Sequence, residues 1–226
     1  MAAEHEGRLT RIVEHASDTR SLFIAQPAGE RLTYRPGQFI SCLLPVAGET
    51  LIRPYSLASD PEDDDLEICL NRVPGGPGSA YLLGLGVGAA IRYTGPWGTF
   101  VLDRAPDAET VFIADGTAIA PVRPMLRRAL ATAARHPLTL LYAADSPAHH
   151  LYRGELEALA AAHPIFRFEV LASDALRDEV ERRFVAVDGG RGRRFFICGV
   201  GAIVPALRDL LRNAGYERRA VQYEKW

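Results

Sequence analysis

The chain has 226 residues, enough for one large domain or two small ones. Its apolar fraction of 48% and its charged fraction of 24% are ordinary for a soluble globular protein, and its net charge of −2 gives no field that would attract nucleic acid or an anionic membrane. No apolar run is long enough to span a bilayer, and residues 1–7 are polar, unlike a signal peptide. We therefore predict a cytoplasmic protein with no nucleic-acid partner and no membrane insertion.

The cysteines indicate neither a disulfide framework nor a metal site. Cys42, Cys69 and Cys198 are odd in number and far apart in sequence, so they match neither a zinc site nor a four-cysteine iron–sulfur site. The acidic run Asp60–Asp65 contains Pro61 and is most simply a solvated loop. We predict no metal in this protein.

The first part of the chain has the pattern of a small β-barrel or sandwich. Short strand-like runs are separated by Pro and Gly clusters at the spacing typical of such folds. The predicted strands are Arg8–His15, Thr19–Ala25, Phe39–Leu44, Leu66–Val73 and Ala89–Thr94.

After Pro106–Ala108 the period of the apolar residues changes, which predicts domains over residues 1–105 and 106–226. Strands then alternate with helices, a pattern that indicates right-handed crossovers and a parallel sheet. The predicted strands are Thr110–Ala114, Leu138–Ala144, Phe166–Leu171, Arg194–Cys198 and Ala220–Tyr223. The predicted helices are Pro121–His136, Tyr152–His163, Ala175–Phe184 and Ile203–Ala214.

The stretch Arg53–Ser59 is the first candidate site. On an extended strand Arg53 and Tyr55 share one face, where a guanidinium holds a diphosphate and a phenol ring lies flat on a planar cofactor. Ser56 faces the other way and offers a hydroxyl. An ordinary strand with a turn at Pro54 explains these residues equally well.

Two Gly-containing turns are candidate phosphate sites. Gly116–Ala118 follows a strand and precedes a helix, so its backbone N–H groups can approach a diphosphate. The glycines at 75, 76 and 78 precede Ser79, which we predict as the N-cap of a short helix. Alternatively, Gly116–Ala118 is a tight strand–helix turn that binds no ligand, and the glycines before Ser79 form a flexible loop that binds none.

The motifs taken together resemble the ferredoxin–NADP reductase family of flavoproteins. In order and spacing, from about Tyr34 to Trp226, the resemblance rests on Arg53–Ser59, Cys69–Val73, Gly76–Ser79, Gly95–Phe100, Asp115–Pro121, Cys198–Gly199 and Tyr223–Trp226. It implies an antiparallel Greek-key barrel that binds FAD, followed by a Rossmann-like domain that binds NADH or NADPH. It also implies an oxidoreductase that passes hydride from nicotinamide to FAD. Because the chain has no iron–sulfur motif of its own, we expect a separate redox protein as acceptor.

The resemblance also implies roles in the first domain. Tyr55 lies on one face of the isoalloxazine, and Ser56 lies near its reactive nitrogen. The strand segment Cys69–Asn71 runs along the cofactor, and the loop with Gly76, Gly78 and Ser79 completes the diphosphate cradle. The expected FAD-binding residues are Arg53, Pro54, Tyr55, Ser56, Cys69, Leu70, Asn71, Gly76, Gly78 and Ser79.

In the second domain the resemblance implies that Cys198 places the nicotinamide ring, with Glu224 near the reaction centre. The terminal Trp226 covers the flavin face that nicotinamide must reach. The expected catalytic residues are Ser56, Cys198 and Glu224. The expected coenzyme-binding residues are Gly116, Thr117, Pro121, Asp145, Cys198, Gly199 and Trp226.

Each of these features also has a plain structural reading. A lone cysteine at a strand end is most often a small buried residue, and a terminal tryptophan is often an exposed end. Where the family motif usually reads Gly-Gly-Thr-Gly-Ile-Ala-Pro, this chain has Asp115 and Ala118 in place of two glycines, and Asp115 would repel a phosphate.

The carboxylate of Asp145 favours a free ribose hydroxyl over a 2′-phosphate, so we expect NADH to be preferred. Two other functions stay open on the sequence. One is a reductase that releases free reduced flavin, and the other is a non-catalytic flavin-binding subunit.

Overall fold

Two units make up the chain in the computed structural model, which describes residues 3–27, 29, 31–102, 104–132 and 135–226. The first unit comprises Met1–Asp103 with Arg123–Met125, and the second comprises Arg104–Val122 with Leu126–Trp226. Within the part of the chain that the structure describes, every helix is too short or too polar to cross a membrane.

The described residues of the first unit form six antiparallel strands and one short helix. Apolar residues alternate along the strands, as in β3, where Ile40, Cys42 and Leu44 are buried and their neighbours are less so. The strands are β1 Glu4–Ala16, β2 Thr19–Ala25, β3 Phe39–Val46, β4 Glu49–Ser56, β5 Asp65–Asn71 and β6 Ala90–Trp97. The helix α1 spans Pro77–Leu83.

The six strands form one sheet in the order β4-β3-β6-β1-β2-β5. An antiparallel bridge between Leu57 and Ile68, supported by a 2.8 Å hydrogen bond from the Ala58 N–H to the Glu67 carbonyl, joins the end of β4 to β5. The two edges of the sheet therefore meet, and the side chains inside form a core that includes Leu22, Ile24, Ile40, Leu44, Leu66, Ile68 and Tyr93. This arrangement confirms the predicted antiparallel barrel.

The second unit alternates strands and helices, as predicted. Its strands are β7 Thr110–Asp115, β8 Leu138–Ala143, β9 Phe166–Leu171, β10 Arg194–Gly199 and β11 Val221–Lys225. Its helices are α2 Ile119–Ala131, α3 Arg153–Ala162, α4 Leu176–Val180 and α5 Ile203–Asn213. A π-helical turn over Glu181–Val185 continues α4.

All five strands of this unit are parallel, in the order β11-β10-β7-β8-β9. From β7 the chain winds outward through β8 and β9, then returns to place β10 on the other side of β7. The pair β7–β10 is thus the topological switch point, where open α/β sheets bind ligands at the carboxyl ends of their strands. On one face of the sheet, α4 and α5 bury a core that includes Val111, Ile113, Leu141, Phe195, Leu207 and Leu211.

The bounds of all four helices in this unit differ from the prediction, by a single residue at an end in α3 and α5 and by more in α2 and α4. The predicted helix Pro121–His136 begins earlier, because a 3₁₀ turn over Gly116–Ala118 leads from β7 directly into α2 at Ile119. Two residues near its predicted end, 133 and 134, lie outside the described residues. The predicted helix Ala175–Phe184 is α-helical only over Leu176–Val180.

Candidate functional site

The strand β4 carries Arg53 and Tyr55 on one face, as the alternation of a strand requires. It is an edge strand of the sheet and pairs with β3, and this position tolerates Pro54 opposite Ser41. Arg53 is exposed, and its guanidinium donates a 2.8 Å hydrogen bond to the Ile52 carbonyl. Tyr55 is half-buried against the core, and burial raises the pKa of its phenol to about 12.

Ser56 ends this strand and is buried, yet its Oγ has no hydrogen-bond partner among the residues that the structure describes. Such an unsatisfied group destabilises a fold by about 1–3 kcal/mol. A polar edge of a bound cofactor would satisfy it. The orphaned hydroxyl therefore fits the flavin site that the sequence predicts.

The loop before α1 approaches β4 closely. A Cβ atom on Gly78 would lie 3.0 Å from Arg53 Cγ and 3.4 Å from Leu44 Cδ1. A side chain at position 78 would thus displace the arginine stem that crosses the start of the helix. The structure brings Gly78 and Arg53 together, two of the residues predicted to hold the FAD diphosphate.

The prediction that Ser79 is an N-cap is wrong. The N-cap is Gly76, and Pro77 occupies the first helical position, which suits its fixed φ angle. Ser79 is instead in the first turn, where its Oγ accepts the Val73 N–H at 2.9 Å and donates to the Gly76 carbonyl at 3.1 Å. Its hydroxyl therefore closes the loop and holds the glycines in place.

The strand β5 supplies the last predicted flavin residues. Cys69 and Leu70 are buried, whereas Asn71 is exposed. β5 lies at an edge of the sheet, and its bridge to the segment after β4 stops at Ile68. Beyond that bridge, no other described strand borders the outer side of Cys69–Asn71.

In the second unit, the turn after β7 combines a special backbone with open space. Gly116 has φ +57°, and a Cβ atom there would meet nothing within 4 Å. Thr117 is half-buried, and Pro121 is buried within α2. An open cradle of this kind fits a diphosphate at the start of a helix.

Two carboxylates converge at the ends of β7 and β8. Ser173 Oγ donates to Asp115 Oδ1 at 3.0 Å and lies 3.5 Å from Asp145 Oδ1. Burial, and then the charge of Asp145, raise the pKa of Asp115. Ser173 was not predicted from the sequence. Its position just after β9, at the same sheet edge, is the signal that would have found it.

Cys198 and Glu224 lie side by side on β10 and β11, as paired residues of the parallel ladder. Cys198 is fully buried, and burial raises the pKa of its thiol well above its ordinary value, with a further contribution from Glu224. Glu224 Oε2 is buried with no hydrogen-bond partner in the described part of the chain, and burial raises the pKa of this carboxyl to about 7.

The C-terminal residue, Trp226, is hydrogen-bonded at the same edge of the sheet. The Trp226 N–H donates a 3.1 Å hydrogen bond to the Gly199 carbonyl, and the residue is 36% exposed. A Cβ atom on Gly199 would lie 3.0 Å from Ile203 Cγ2 and 3.7 Å from Asp115 Cβ. The switch point thus gathers Asp115, Cys198 and Gly199, with Glu224 and Trp226 next to them.

Comparison with known proteins agrees with this geometry. Residues 6–102 match the oxidoreductase FAD-binding domain, and residues 112–206 match the oxidoreductase NAD-binding domain. Ferredoxin–NADP reductase B of Sorangium cellulosum (strain So ce56) is 32% identical over 240 residues, which cover 100% of this chain and 98% of that protein. The chain belongs to the ferredoxin–NADP reductase family.

A second relative and a solved structure extend the comparison. The ferredoxin–NAD(P)(+) reductase component of the naphthalene 1,2-dioxygenase/salicylate 5-hydroxylase systems of Ralstonia sp is 32% identical, and the match covers 93% of this chain and 65% of that protein. The fold matches a Neisseria gonorrhoeae ferredoxin NADP⁺ reductase, crystallised with FAD and NADP, at a TM-score of 0.86 and 21% identity over 100% of this chain and 99% of that one.

Membership of the family confirms several predictions. This reductase is an NAD(P)H-dependent flavoprotein oxidoreductase with FAD-binding and NAD-binding domains. The residue roles stay predictions, and the orphaned Ser56 hydroxyl and the open turn at Gly116 fit the two groups.

The raised pKa of Glu224 predicts a pH-dependent stability. Between pH 4.5 and about 7 the folded protein keeps a proton that the unfolded chain has lost, so stability falls as the pH rises through this window. Glu224→Gln has no such proton. The variant should therefore gain unfolding free energy relative to wild type as the pH rises, by about 3 kcal/mol at most.

Denaturant unfolding at several pH values between 5 and 8 measures this difference. Glu217→Gln is the matched control, because Glu217 is an exposed carboxylate of the same unit, paired with Arg219. A difference between Glu224→Gln and wild type that stays constant from pH 5 to 8 would show that the burial of Glu224 has no effect on its ionisation.

Proposed function

We propose that this reductase takes hydride from NADH at the switch point of its second unit and holds FAD along β4, β5 and the loop before α1. Electrons then leave to a separate redox protein. The observation that carries the proposal is the convergence of Asp115, Gly116, Cys198 and Gly199 where β7 and β10 end side by side. We propose domain limits at residues 1–105 and 106–226.

In the first unit, Arg53 binds the FAD diphosphate, supported by the close approach of Gly78 and by the loop that Ser79 closes. Pro54 and the backbone of Cys69–Asn71 border the cofactor. Tyr55 contributes a ring face, and Ser56 a hydrogen bond to the isoalloxazine. When bound, FAD supplies the capacity to take two electrons together and to release them singly or in pairs.

In the second unit, the backbone N–H groups after Gly116 bind the coenzyme diphosphate, and Pro121 keeps the first turn of α2 in place. Cys198 and Gly199 form the wall on which the nicotinamide ring rests. Burial keeps Cys198 as a thiol, so it positions and does not attack. Glu224 holds a proton that exchanges near neutral pH, and the Trp226 ring contributes to cofactor binding and is displaced by nicotinamide.

The acceptor we propose is a ferredoxin-like protein or an oxygenase component. The names of the Sorangium and Ralstonia relatives support this choice. We also propose a cytoplasmic location, since the three cysteines are not joined in disulfides, which is typical of a reducing compartment.

Ser56→Ala tests the flavin site. The hydroxyl is buried with no hydrogen-bond partner among the described residues, so its loss should not lower the thermal unfolding midpoint. We expect the rate at which NADH bleaches the bound flavin under anaerobic conditions to fall roughly 10- to 100-fold. Stopped-flow absorbance measures this rate.

The control is Ser59→Ala. The Ser59 hydroxyl lies 2.8 Å from the Tyr34 hydroxyl and accepts the Glu67 N–H at 3.0 Å, so this change should lower the unfolding midpoint. An unaltered bleaching rate in Ser56→Ala would remove Ser56 from the site. Failure of both NADH and NADPH to bleach the wild-type flavin would refute the proposed reaction.

Asp145→Asn tests the choice of coenzyme. The carboxylate of Asp145 repels a 2′-phosphate. The carboxylate of Asp115, which contacts the same Ser173 hydroxyl, adds to this repulsion. We expect wild type to favour NADH by roughly tenfold in kcat/KM, and Asp145→Asn to reduce this preference several-fold through better use of NADPH. Steady-state kinetics with both coenzymes gives the ratio.

Asp209→Asn, which removes an exposed carboxylate of α5, is the matched control and should keep the wild-type ratio. A wild-type preference for NADPH would contradict the assignment. So would the same ratio in Asp145→Asn and Asp209→Asn.

A further inference from the structure

A buried hydroxyl links the two loops that the proposed function assigns to the coenzyme. Tyr142 lies on β8 and is fully buried. Its hydroxyl lies 3.0 Å from the carbonyl oxygen of Gly116 and 3.1 Å from that of His149, and it accepts the Leu151 N–H at 2.9 Å. We infer that Tyr142 is a positioning residue, which fixes the diphosphate turn relative to the loop that carries Asp145.

The hydroxyl joins three backbone groups from two loops. It has one proton to donate, shared between the carbonyls of Gly116 and His149, and a lone pair that receives the Leu151 N–H. The ring packs edge-on against His150, with centroids 5.4 Å apart and an interplanar angle of 87°. These contacts fix the position of the hydroxyl, and both loops are hydrogen-bonded to it.

The contact with Gly116 sets the direction of the next N–H group. A trans peptide is planar, so the carbonyl of Gly116 and the N–H of Thr117 point in opposite directions. Gly116 has φ +57°, a region glycine enters and leaves at little cost. Holding its carbonyl against Tyr142 therefore aims the Thr117 N–H away from β8. Under the proposed function, that N–H meets the coenzyme diphosphate.

The same carbonyl also accepts the Ile119 N–H within the 3₁₀ turn. That bond shapes the turn but connects it only to its own helix. The tyrosine hydroxyl adds a connection to the neighbouring strand and, through it, to the loop after β8.

The other side of the hydroxyl secures that loop. His149 ends the 3₁₀ turn Pro147–His149 that follows Asp145, and Leu151 comes two residues later. Ser146 Oγ, at the start of this turn, lies 2.7 Å from His149 Nδ1. Asp145 is the residue that we propose beside the adenosine ribose. Tyr142 thus sets the spacing between the groups that meet the diphosphate and the ribose, and this inference rests on the proposed function.

Tyr142→Phe removes one oxygen atom and keeps the ring. We expect the KM for NADH and the Kd for ADP-ribose to rise roughly five- to tenfold, because the turn loses its alignment, while kcat at saturating NADH stays within about twofold. Isothermal titration with ADP-ribose and steady-state kinetics provide the two values. FAD content should match that of wild type.

Tyr216→Phe is the matched control. Tyr216 is also a buried tyrosine of the second unit, and its hydroxyl donates a 2.7 Å hydrogen bond to Asp188 Oδ2, away from the proposed coenzyme residues. Both variants should lose thermal stability, but only Tyr142→Phe should lose coenzyme affinity. Equal coenzyme affinity in the two variants, whether unchanged or equally weakened, would overturn the inference.

Hydrogen exchange on the wild-type protein decides the matter if Tyr142→Phe does not fold. Added ADP-ribose should slow amide exchange in residues 116–118 and also in residues 149–151, where the Leu151 N–H donates to the Tyr142 hydroxyl. Protection confined to 116–118 would overturn the inference and leave the proposed function intact. Protection in neither segment would refute the proposed diphosphate site, and the inference with it.

Discussion

The pairing of β7 with β10 brings the turn at Gly116 and the Cys198–Gly199 pair to the same edge of the sheet. Ala114 is opposite Cys198 in this ladder, so the two following residues, Asp115 and Gly199, come out side by side at the edge of the sheet. β8 pairs with β7 in turn and brings Asp145 to the same edge, and β11 pairs with β10 and brings Glu224 there. A shift of one residue in the β7–β10 register would separate the turn at Gly116 from Cys198 and turn buried side chains to the opposite face.

Each candidate site includes a polar group that is buried without full compensation. Ser56 Oγ and Glu224 Oε2 have no partner in the described part of the chain, and burial raises the pKa of both Glu224 and Asp115. The buried hydroxyls of Tyr34 and Ser59, in contrast, lie 2.8 Å apart and pair with each other. Shifted pKa values and unsatisfied groups at strand ends are typical of functional sites, because a ligand supplies the missing partner.

Much of the fold could be predicted from the sequence because both units follow simple periods. The apolar run in β2 and the alternation in β9 predict strand bounds that the structure reproduces, Thr19–Ala25 and Phe166–Leu171. The first residues of the helices were harder to predict from the sequence. Ser79 has the chemistry of an N-cap, but Pro77 starts α1 and leaves Gly76 as the cap. The start of α2 lies before Pro121, because the chain coils at once from β7.

The sites could be predicted only where a motif lies on one stretch of chain. Ser173 and Tyr142 belong to no motif, and their partners are distant in sequence. Ser173 reaches Asp115 across 58 residues, and the Tyr142 hydroxyl reaches Gly116 across 26. In the sequence Tyr142 reads as one more apolar residue of a buried strand, and only the parallel pairing of β8 with β7 shows what its hydroxyl contacts.

The flavin content of the purified protein tests the central claim most directly. The account requires the first unit to bind FAD through β4, β5 and the loop before α1. Absorbance between 300 and 550 nm, with chromatographic identification of the released cofactor, should show a yellow protein with roughly one FAD per chain retained through gel filtration. A folded protein that is colourless, and that takes up neither FAD nor FMN when either is added, would contradict the account.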